Sequence, residues 1–274
     1  MSTGTRAKKW LGQHWLTDRR ILQRVAEAAD FGPKDTVIEV GSGRGALTGL
    51  LADRASRLIA VEVDEQLAAA LAERYRSQRN VSVIEGDVLE LTVEEILNRG
   101  GGGLPYVVVG NLPYFIGSPI VRKFLIAPVK PRWLIVMLQA EVAERMAAAR
   151  GQMSYLSVEM QVMAEVRFLF RIPARSFSPP PKVQSAVVRL DVRDSPEVEV
   201  DNLAAFLKVA QSGFAAPRKR LRNSLAVGLR ITPTQAAALL AEASVDGDQR
   251  PQMLRLEDWR DVYFAVRRRE ATGG

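Results

Sequence analysis

The stretch Asn111-Leu112-Pro113-Tyr114 combines groups that could hold an aromatic amine for reaction. The Asn111 side-chain oxygen and the Leu112 carbonyl can accept the two amine hydrogens, which localises the nitrogen lone pair. Pro113 fixes its own φ and keeps Leu112 extended. Tyr114 offers a flat face on which an adenine can stack. The alternative is an ordinary turn that ends a strand.

A glycine-rich segment, "EVGSGRGALT", lies between a strand pattern and a helix pattern. Gly41 and Gly43 let the backbone turn tightly and approach a ligand. The spacing fits the dinucleotide-binding pattern, with Ala46 in its last place. A nucleotide-type ligand is favoured, and a tight structural turn is the alternative.

Two acidic residues end the next two strand patterns. Glu62 ends "VEVD", where a carboxylate can accept both hydroxyls of a ribose. Asp87 ends "EGD" and can accept from an adenine amino group. NAD and S-adenosylmethionine both contain adenosine, so these residues do not choose between them. Hydride transfer with NAD usually needs a side chain that handles a proton, and the single histidine, His14, lies in the N-terminal arm and is not a persuasive candidate. Asn111 to Tyr114 favour methyl transfer to an unpaired adenine instead.

Short apolar strands alternate with helical patterns from Thr36 onward, in "TVIEV", "RLIAVEVD", "VSVIEGD", "YVVVGN" and "WLIVML". This alternation predicts an α/β fold with a Rossmann-like, mostly parallel sheet. "RFLFRI" and "QSAVVRLDV" follow with no long helix between them, so we expect an antiparallel pair that closes the edge. Such sheets bind ligands at the carboxyl ends of their strands, where the glycine loop, both acids and the tetrapeptide fall.

The character of the chain changes after about residue 193, because only helical periodicity follows. We predict an N-terminal arm plus methyltransferase domain over 1–193 and a smaller helical domain over 194–274. A helix is predicted to start at Thr232-Pro233, with Gln235 completing the cap. "PRKRLRNSL" is predicted to place Arg218, Lys219 and Arg222 around a helix that contacts RNA phosphates, with a solvated face as the alternative.

The composition limits the class of protein. The 274 residues are 47% apolar and 25% charged, and Lys plus Arg outnumber Asp plus Glu by 38 to 31, a net charge of +7 that favours a polyanionic partner. No cysteine is present, so disulfides and thiolate catalysis are excluded, and one histidine excludes a multi-histidine metal centre. No signal-peptide pattern or run of roughly 18 apolar residues occurs. We therefore expect a cytoplasmic protein with no metal and no membrane association. We also expect a monomer.

Several motifs make the chain resemble the ribosomal RNA adenine N6-dimethyltransferase family of the small-subunit type. They include "LGQHWLTD", "VIEVGSGRGALT", "GNLPY", "FSPPPKVQSAVVRL", "FAAPRKRLRNSL" and "RPQMLRLEDW" and span nearly the whole length. The resemblance implies S-adenosylmethionine as methyl donor. It also implies that the substrate is the N6 amines of two adjacent adenosines in the 3′-terminal hairpin of small-subunit (16S) rRNA, with a role in ribosome assembly.

The resemblance further implies which residues bind the cofactor and the target adenine. Cofactor contacts fall on His14, Leu16, Gly41, Glu62, Asp87 and Asn111, beside Gly43 of the glycine loop. Many members of the family have Asn where this chain has His14. Phe177 of "FSPPP" is expected to supply the second face of an aromatic sandwich around the target adenine. The alternative for Phe177 is a core position ahead of a rigid proline run.

Two other functions compete with this one. The first is the related large-subunit rRNA adenine N6-methyltransferase that confers macrolide resistance, which "PPPKVQSAVVRL" and "RPQMLRLEDW" disfavour. The second is a non-catalytic RNA chaperone or transcription-factor relative that keeps the fold and the basic surface. The intact Asn111-Leu112-Pro113-Tyr114 disfavours a non-catalytic role.

Overall fold

The computed structural model describes residues 13–272. Packing divides the chain into two units, Met1–Ala143 with Glu165–Val192, and Glu144–Ala164 with Arg193–Gly274. The last of the three breaks, between Val192 and Arg193, lies at the predicted change of character, but the predicted division into two contiguous domains differs from the observed one. The reason is that the helix Tyr155–Gln161 packs against the helix Leu203–Gly213, which draws Glu144–Ala164 into the second unit.

The central element of the first unit is a seven-stranded sheet. Its strands are β2 (Thr36–Val40), β3 (Arg57–Glu62), β4 (Val81–Glu85), β5 (Tyr106–Asn111), β6 (Trp133–Gln139), β7 (Ala164–Ile172) and β9 (Ser185–Val192). The strand order is β4-β3-β2-β5-β6-β9-β7. The first five in this order run parallel, and β9 pairs antiparallel with β6. The predicted Rossmann-like sheet is confirmed, with the antiparallel strand inserted between β6 and the edge strand β7.

Four helices connect the parallel strands within the described residues, namely α2 (Ala46–Ala52), α3 (Glu65–Arg74), α4 (Val93–Gly100) and α5 (Gly117–Ile126). Helix α1 (Arg19–Ala28) precedes β2, and α6 (Ala140–Met146) follows β6. All five residues of β2 are buried, as are the first five of β5, because both faces of the sheet are covered. Apolar strands of this kind fix the register, which brings the carboxyl ends of β2, β3, β4 and β5 to one edge.

A separate two-stranded sheet holds the N-terminal arm. It consists of β1 (Trp15–Leu16) and β8 (Phe177–Ser178), with Leu16 opposite Phe177. Thr17 extends the pairing, since its amide nitrogen donates to the Ser176 carbonyl at 2.9 Å. Leu16 and Phe177 both point into the apolar core of the first unit. The pairing therefore fixes where the preceding residues, Gln13 and His14, lie.

The second unit is helical. Its elements include α7 (Tyr155–Gln161), α8 (Leu203–Gly213), α9 (Leu221–Leu229), α10 (Pro233–Glu242) and α11 (Leu256–Thr272). Trp259 and Tyr263 of α11 are fully buried, and a Cβ at Gly213 would lie 2.3 Å from the Trp259 ring, so α8 and α11 meet closely at Gly213. The predicted helix start is confirmed, because Thr232 and Gln235 cap each other's backbone amides. No helix within residues 13–272 has the length and apolar character needed to cross a bilayer.

Candidate active site

A cleft of about 710 Å³, including its open mouth, lies at the carboxyl edge of the parallel strands. The walls come from the ends of β2, β3, β4 and β5 and from the N-terminal arm. The structure brings together here the predicted site residues His14, Gly41, Gly43, Glu62, Asp87, Asn111, Leu112, Pro113 and Tyr114.

The glycine loop that follows β2 needs its glycines. Gly41 and Gly43 have φ angles of +73° and +54°, in the left-handed region that other residues rarely adopt. A Cβ at Gly41 would lie 3.3 Å from the Asn111 carbonyl oxygen, and one at Gly43 would lie 3.0 Å from the Trp15 ring. The loop thus fits closely between the end of β5 and the arm. Arg44 covers the Trp15 ring, with its guanidinium carbon 3.8 Å from the ring centroid.

Glu62, at the end of β3, is held by two backbone amides. Its Oε2 accepts from the Gly43 nitrogen at 2.7 Å, and its Oε1 accepts from the Asp64 nitrogen at 3.0 Å. Burial raises the pKa of the carboxyl group, and the two amide hydrogen bonds oppose that shift. Each carboxylate oxygen can still accept a second hydrogen bond from a ligand hydroxyl. Asp87 is half-buried, and one of its oxygens accepts from the Leu89 amide at 2.8 Å.

A second buried acid, Glu39, lies within β2 beneath the glycine loop and was not predicted as a site residue. It is 2% exposed, and its Oε2 accepts from the Thr48 hydroxyl at 2.6 Å. Burial raises the pKa of Glu39 to about 7, with a smaller contribution from the negative charge of Glu62. The only sequence signal was an acid inside the apolar strand "TVIEV", where an unpaired charge is costly.

A smaller cavity adjoins the cleft on the other side of the glycine loop. Its volume, including its open mouth, is about 370 Å³, and Leu16, Glu39, Gly41, Ser42 and Asn111 are among the residues that line it. Leu16 belongs to this cavity and not to the larger cleft. The Ser42 hydroxyl is buried and has no hydrogen-bond partner among the described residues. An unpaired buried hydroxyl costs stability, so it is suited to meet a polar ligand group.

Asn111 and Tyr114 are each fixed by contacts from distant parts of the chain. The Asn111 Nδ2 donates to the His14 carbonyl at 2.9 Å, which leaves Oδ1 as its remaining polar atom. The hydroxyls of Tyr114 and Ser185 are 2.5 Å apart, and burial raises the pKa of Tyr114. The His14 ring stacks on Tyr114 with centroids 5.7 Å apart and planes inclined by 22°. Because a carbonyl can only accept, His14 Nδ1 donates to the Pro179 carbonyl at 2.8 Å.

Phe177 does not line the cleft together with Asn111 and Tyr114. It is 3% exposed, belongs to the apolar core of the first unit and does not line the cleft. The pairing of β8 with β1 turns its side chain inward, opposite Leu16. The ring found against Tyr114 is that of His14. The prediction that Phe177 stacks on the target base stays a prediction, and its buried position does not support it.

The predicted basic helix differs in detail. Helix α9 begins at Leu221, so Arg218 and Lys219 lie exposed in the preceding turn and only Arg222 lies in the helix. The turn forms because the buried Ser224 hydroxyl accepts from the Ala216 amide and donates to the Gly213 carbonyl.

The three cations also differ in their partners. Arg222 Nη1 lies 2.8 Å from an Asp248 oxygen, which Arg220 also contacts at 2.9 Å. Among residues 13–272, neither Arg218 nor Lys219 forms an ion pair with a carboxylate. These two are therefore the cations available to an external anion.

Comparisons with known proteins match this chain to one family. The family model described as "Ribosomal RNA adenine dimethylase" matches residues 4–263. A Ribosomal RNA small subunit methyltransferase A from Dehalococcoides mccartyi is 40% identical over 255 residues, which cover 93% of this chain and 87% of that protein. The protein of the same name from Bacillus cereus is 38% identical over 265 residues, with 94% and 91% covered.

Solved structures show the same architecture. The 23S rRNA methyltransferase ErmE is 31% identical, with a TM-score of 0.71, and the match covers 92% of this chain and 99% of that one. A dimethyladenosine transferase from Plasmodium falciparum is 23% identical, with a TM-score of 0.78, and the match covers 95% and 98%. At that identity the second likeness supports the fold alone.

The raised pKa of Glu39 predicts a pH-dependent stability. Between about pH 4.5 and 7 the folded protein keeps a proton on Glu39 that the unfolded chain releases, so the free energy of unfolding falls as the pH rises. Glu39→Gln removes this loss and keeps an acceptor for Thr48. Urea unfolding should find the two proteins similar at pH 5 and the variant more stable by about 1–3 kcal/mol at pH 7.5. Equal differences at both pH values would show that Glu39 ionises as readily when folded.

Proposed function

Because the chain belongs to the ribosomal RNA adenine dimethylase family, we propose that it dimethylates the N6 amines of two adjacent adenosines in the 3′-terminal hairpin of small-subunit (16S) rRNA, with S-adenosylmethionine as methyl donor. In this proposal the chain acts as a cytoplasmic monomer on immature small ribosomal subunits, without a metal, and its activity is linked to ribosome assembly.

One observation carries the proposal: the cleft at the sheet edge holds Glu62 and Asp87 on one side and Asn111 to Tyr114 on the other. The first pair suits an adenosine-containing cofactor, and the tetrapeptide suits an adenine amine. The relatives of the small-subunit type are 40% and 38% identical, whereas ErmE, which carries the name of a 23S rRNA enzyme, is 31% identical. The small subunit is therefore the favoured substrate.

The residues present fit S-adenosylmethionine. Glu62 has acceptor capacity left for ribose hydroxyls, and Asp87 has an oxygen left for the adenine amine. The unpaired Ser42 hydroxyl in the smaller cavity, beside Leu16 and Gly41, offers a partner to the polar methionine end. His14 and Gly43 would complete the site. When bound, the cofactor supplies a methyl group on a positively charged sulfonium.

Asn111 and Leu112 prepare the amine in this proposal. Asn111 Nδ2 donates to the His14 carbonyl, which fixes the orientation of the side-chain amide. Oδ1 then accepts one amine hydrogen, and the Leu112 carbonyl accepts the other. Two acceptors draw the nitrogen toward a tetrahedral shape and localise its lone pair. The protonated product amine is itself acidic, so the site needs orientation and electrostatic stabilisation in place of a strong base.

Tyr114 holds the base in this proposal. Its hydroxyl is anchored on Ser185 and one side of its ring packs against His14, so the opposite face is the one offered to adenine. An adenine within a helix cannot reach this cleft, and the target must be unpaired or flipped. The exposed Arg218 and Lys219 of the second unit are proposed to bind RNA phosphates, with Arg222 contributing less because Asp248 already neutralises it.

The proposal is tested with labelled S-adenosylmethionine and unmethylated small and large ribosomal subunits offered in parallel. We expect label in N6,N6-dimethyladenosine near the 3′ end of the small-subunit rRNA. Label only in the large-subunit rRNA would identify the macrolide-resistance type of enzyme. Label in neither, together with retained binding of small subunits, would indicate a non-catalytic RNA chaperone.

Tyr114 should matter through its ring. Tyr114→Phe should keep most of the methyl transfer, whereas Tyr114→Ala should lose about 10- to 100-fold, the effect of one lost base stack. Ser185→Ala is the matched control, because it removes the same hydrogen bond and leaves the ring in place. Single-turnover transfer at saturating cofactor measures all three. A loss for Phe equal to that for Ala would assign the function to the hydroxyl instead.

The exposed cations should control the salt dependence of RNA binding. Each phosphate contact releases counterions, so Lys219→Ala should lower the slope of log affinity against log salt by about 1, and Arg218→Ala with Lys219→Ala by about 2. Lys208→Ala, which removes another exposed lysine of the second unit, is the control and should leave the slope unchanged. Unchanged slopes for all variants would show that the turn before α9 is merely solvated.

A further inference from the structure

Phe115 is the one aromatic side chain within residues 13–272 that stands mostly in solvent. It is 62% exposed, and the other large apolar side chains that are similarly exposed are aliphatic or Met. Scattered aliphatic residues on a surface need no explanation. Phe115 directly follows Tyr114, which lines the cleft, and its exposed ring offers a flat apolar surface that can stack on another planar group.

The backbone holds Tyr114 and Phe115 side by side. The Ile116 amide donates to the Pro113 carbonyl at 3.2 Å, which closes a turn with Tyr114 and Phe115 as its two central residues. The Ile120 amide then donates to the Ile116 carbonyl at 3.0 Å, so the turn continues directly into α5. Tyr114 lines the cleft, whereas Phe115 does not. The turn thus presents one ring to the cleft and the next ring to solvent.

We propose that Phe115 forms a second stacking site, which binds the unpaired nucleobase next to the adenine held on Tyr114. This inference rests on the proposed function. When one base leaves its stack and enters a cleft, its neighbour loses a stacking partner and lies at the mouth. Single-stranded nucleic acids bind proteins by stacking successive bases on successive aromatic rings. With two adjacent adenosines as substrates, the purine at the mouth is the other target, so Phe115 holds one adenosine while its neighbour is methylated.

The segment before Ser185 supports a nucleic-acid strand at this mouth. Pro179 contacts His14 and Ser185 contacts Tyr114, so both ends of the segment 179–185 lie against residues that line the cleft. Lys182, within that segment, is exposed. Lys182 adds a cation to this segment, and single-strand binding sites combine cations for the phosphates with aromatic rings for the bases.

The test combines a protein change with a substrate change. Immature small subunits are prepared with a ligated synthetic 3′ strand that carries both adenosines, or with an abasic position in place of one of them. Single-turnover methylation of the remaining adenosine, followed against subunit concentration, gives the apparent affinity for wild type, Phe115→Ala and Phe115→Trp. Ile126→Ala is the control, since it removes a side chain that is 57% exposed at the far end of the same helix, roughly 15 Å away.

We expect the abasic change to weaken wild type and Ile126→Ala by about five- to tenfold, the effect of one modest base stack. Phe115→Ala should be weakened to the same extent with the intact strand and should lose nothing more with the abasic strand, because both changes remove one interaction. Phe115→Trp should behave as wild type. Calorimetry should find the same affinity for S-adenosylmethionine in all variants.

Two results would overturn the inference. One is wild-type affinity of Phe115→Ala for the intact strand, and the other is an equal abasic penalty in wild type and Phe115→Ala. Failure of the proposed function looks different, because wild type would then transfer no methyl group to the intact subunits, and the second stacking site would fall with it.

Discussion

Two backbone amides, those of Gly43 and Asp64, hold the carboxylate of Glu62 at the end of β3. The first of these hydrogen bonds joins the glycine loop after β2 to the neighbouring strand, so the position of the loop depends on it. Glu62 is 5% exposed, and burial of its carboxylate would be costly without those donors. Glu39, within β2, is a second buried carboxyl group, and its hydrogen-bond donor is the Thr48 hydroxyl. Hydrogen-bond donors thus hold both buried carboxyl groups in place, although burial disfavours their charged forms. Such an arrangement is typical of functional sites.

The other half of the site depends on contacts between segments that are far apart in sequence. The arm reaches Asn111 through the His14 carbonyl and reaches Pro179 through the His14 ring. Ser185, at the start of β9, fixes the Tyr114 hydroxyl. Each contact restricts a side chain that the proposed chemistry needs in one orientation. The arm therefore forms a wall of the cleft and also supports Asn111 and Tyr114.

The sequence predicted the sheet and most of the cleft for the same reason. Buried parallel strands read as apolar runs, and polar residues at their carboxyl ends must meet at one edge, which located Glu62, Asp87 and Asn111. Contacts that form only through tertiary packing could not be predicted from such a pattern. The inward turn of Phe177 follows from its pairing partner, and the start of α9 follows from the buried Ser224. Glu39 was overlooked because an acid inside a strand pattern carries no sign of the Thr48 hydroxyl that will pair with it.

The order of strands has a consequence for how the protein is made. Strand β9 lies between β6 and β7, so β7 cannot take its place in the sheet until the later strand has been synthesised. The arm is subject to the same delay, because His14 meets Pro179 across 165 residues of chain. Contacts of such long range form late in folding, since the loop must close before the contact contributes. On the translating ribosome the nascent chain therefore carries a glycine loop and a tetrapeptide but no finished cleft until the residues of β9 have emerged.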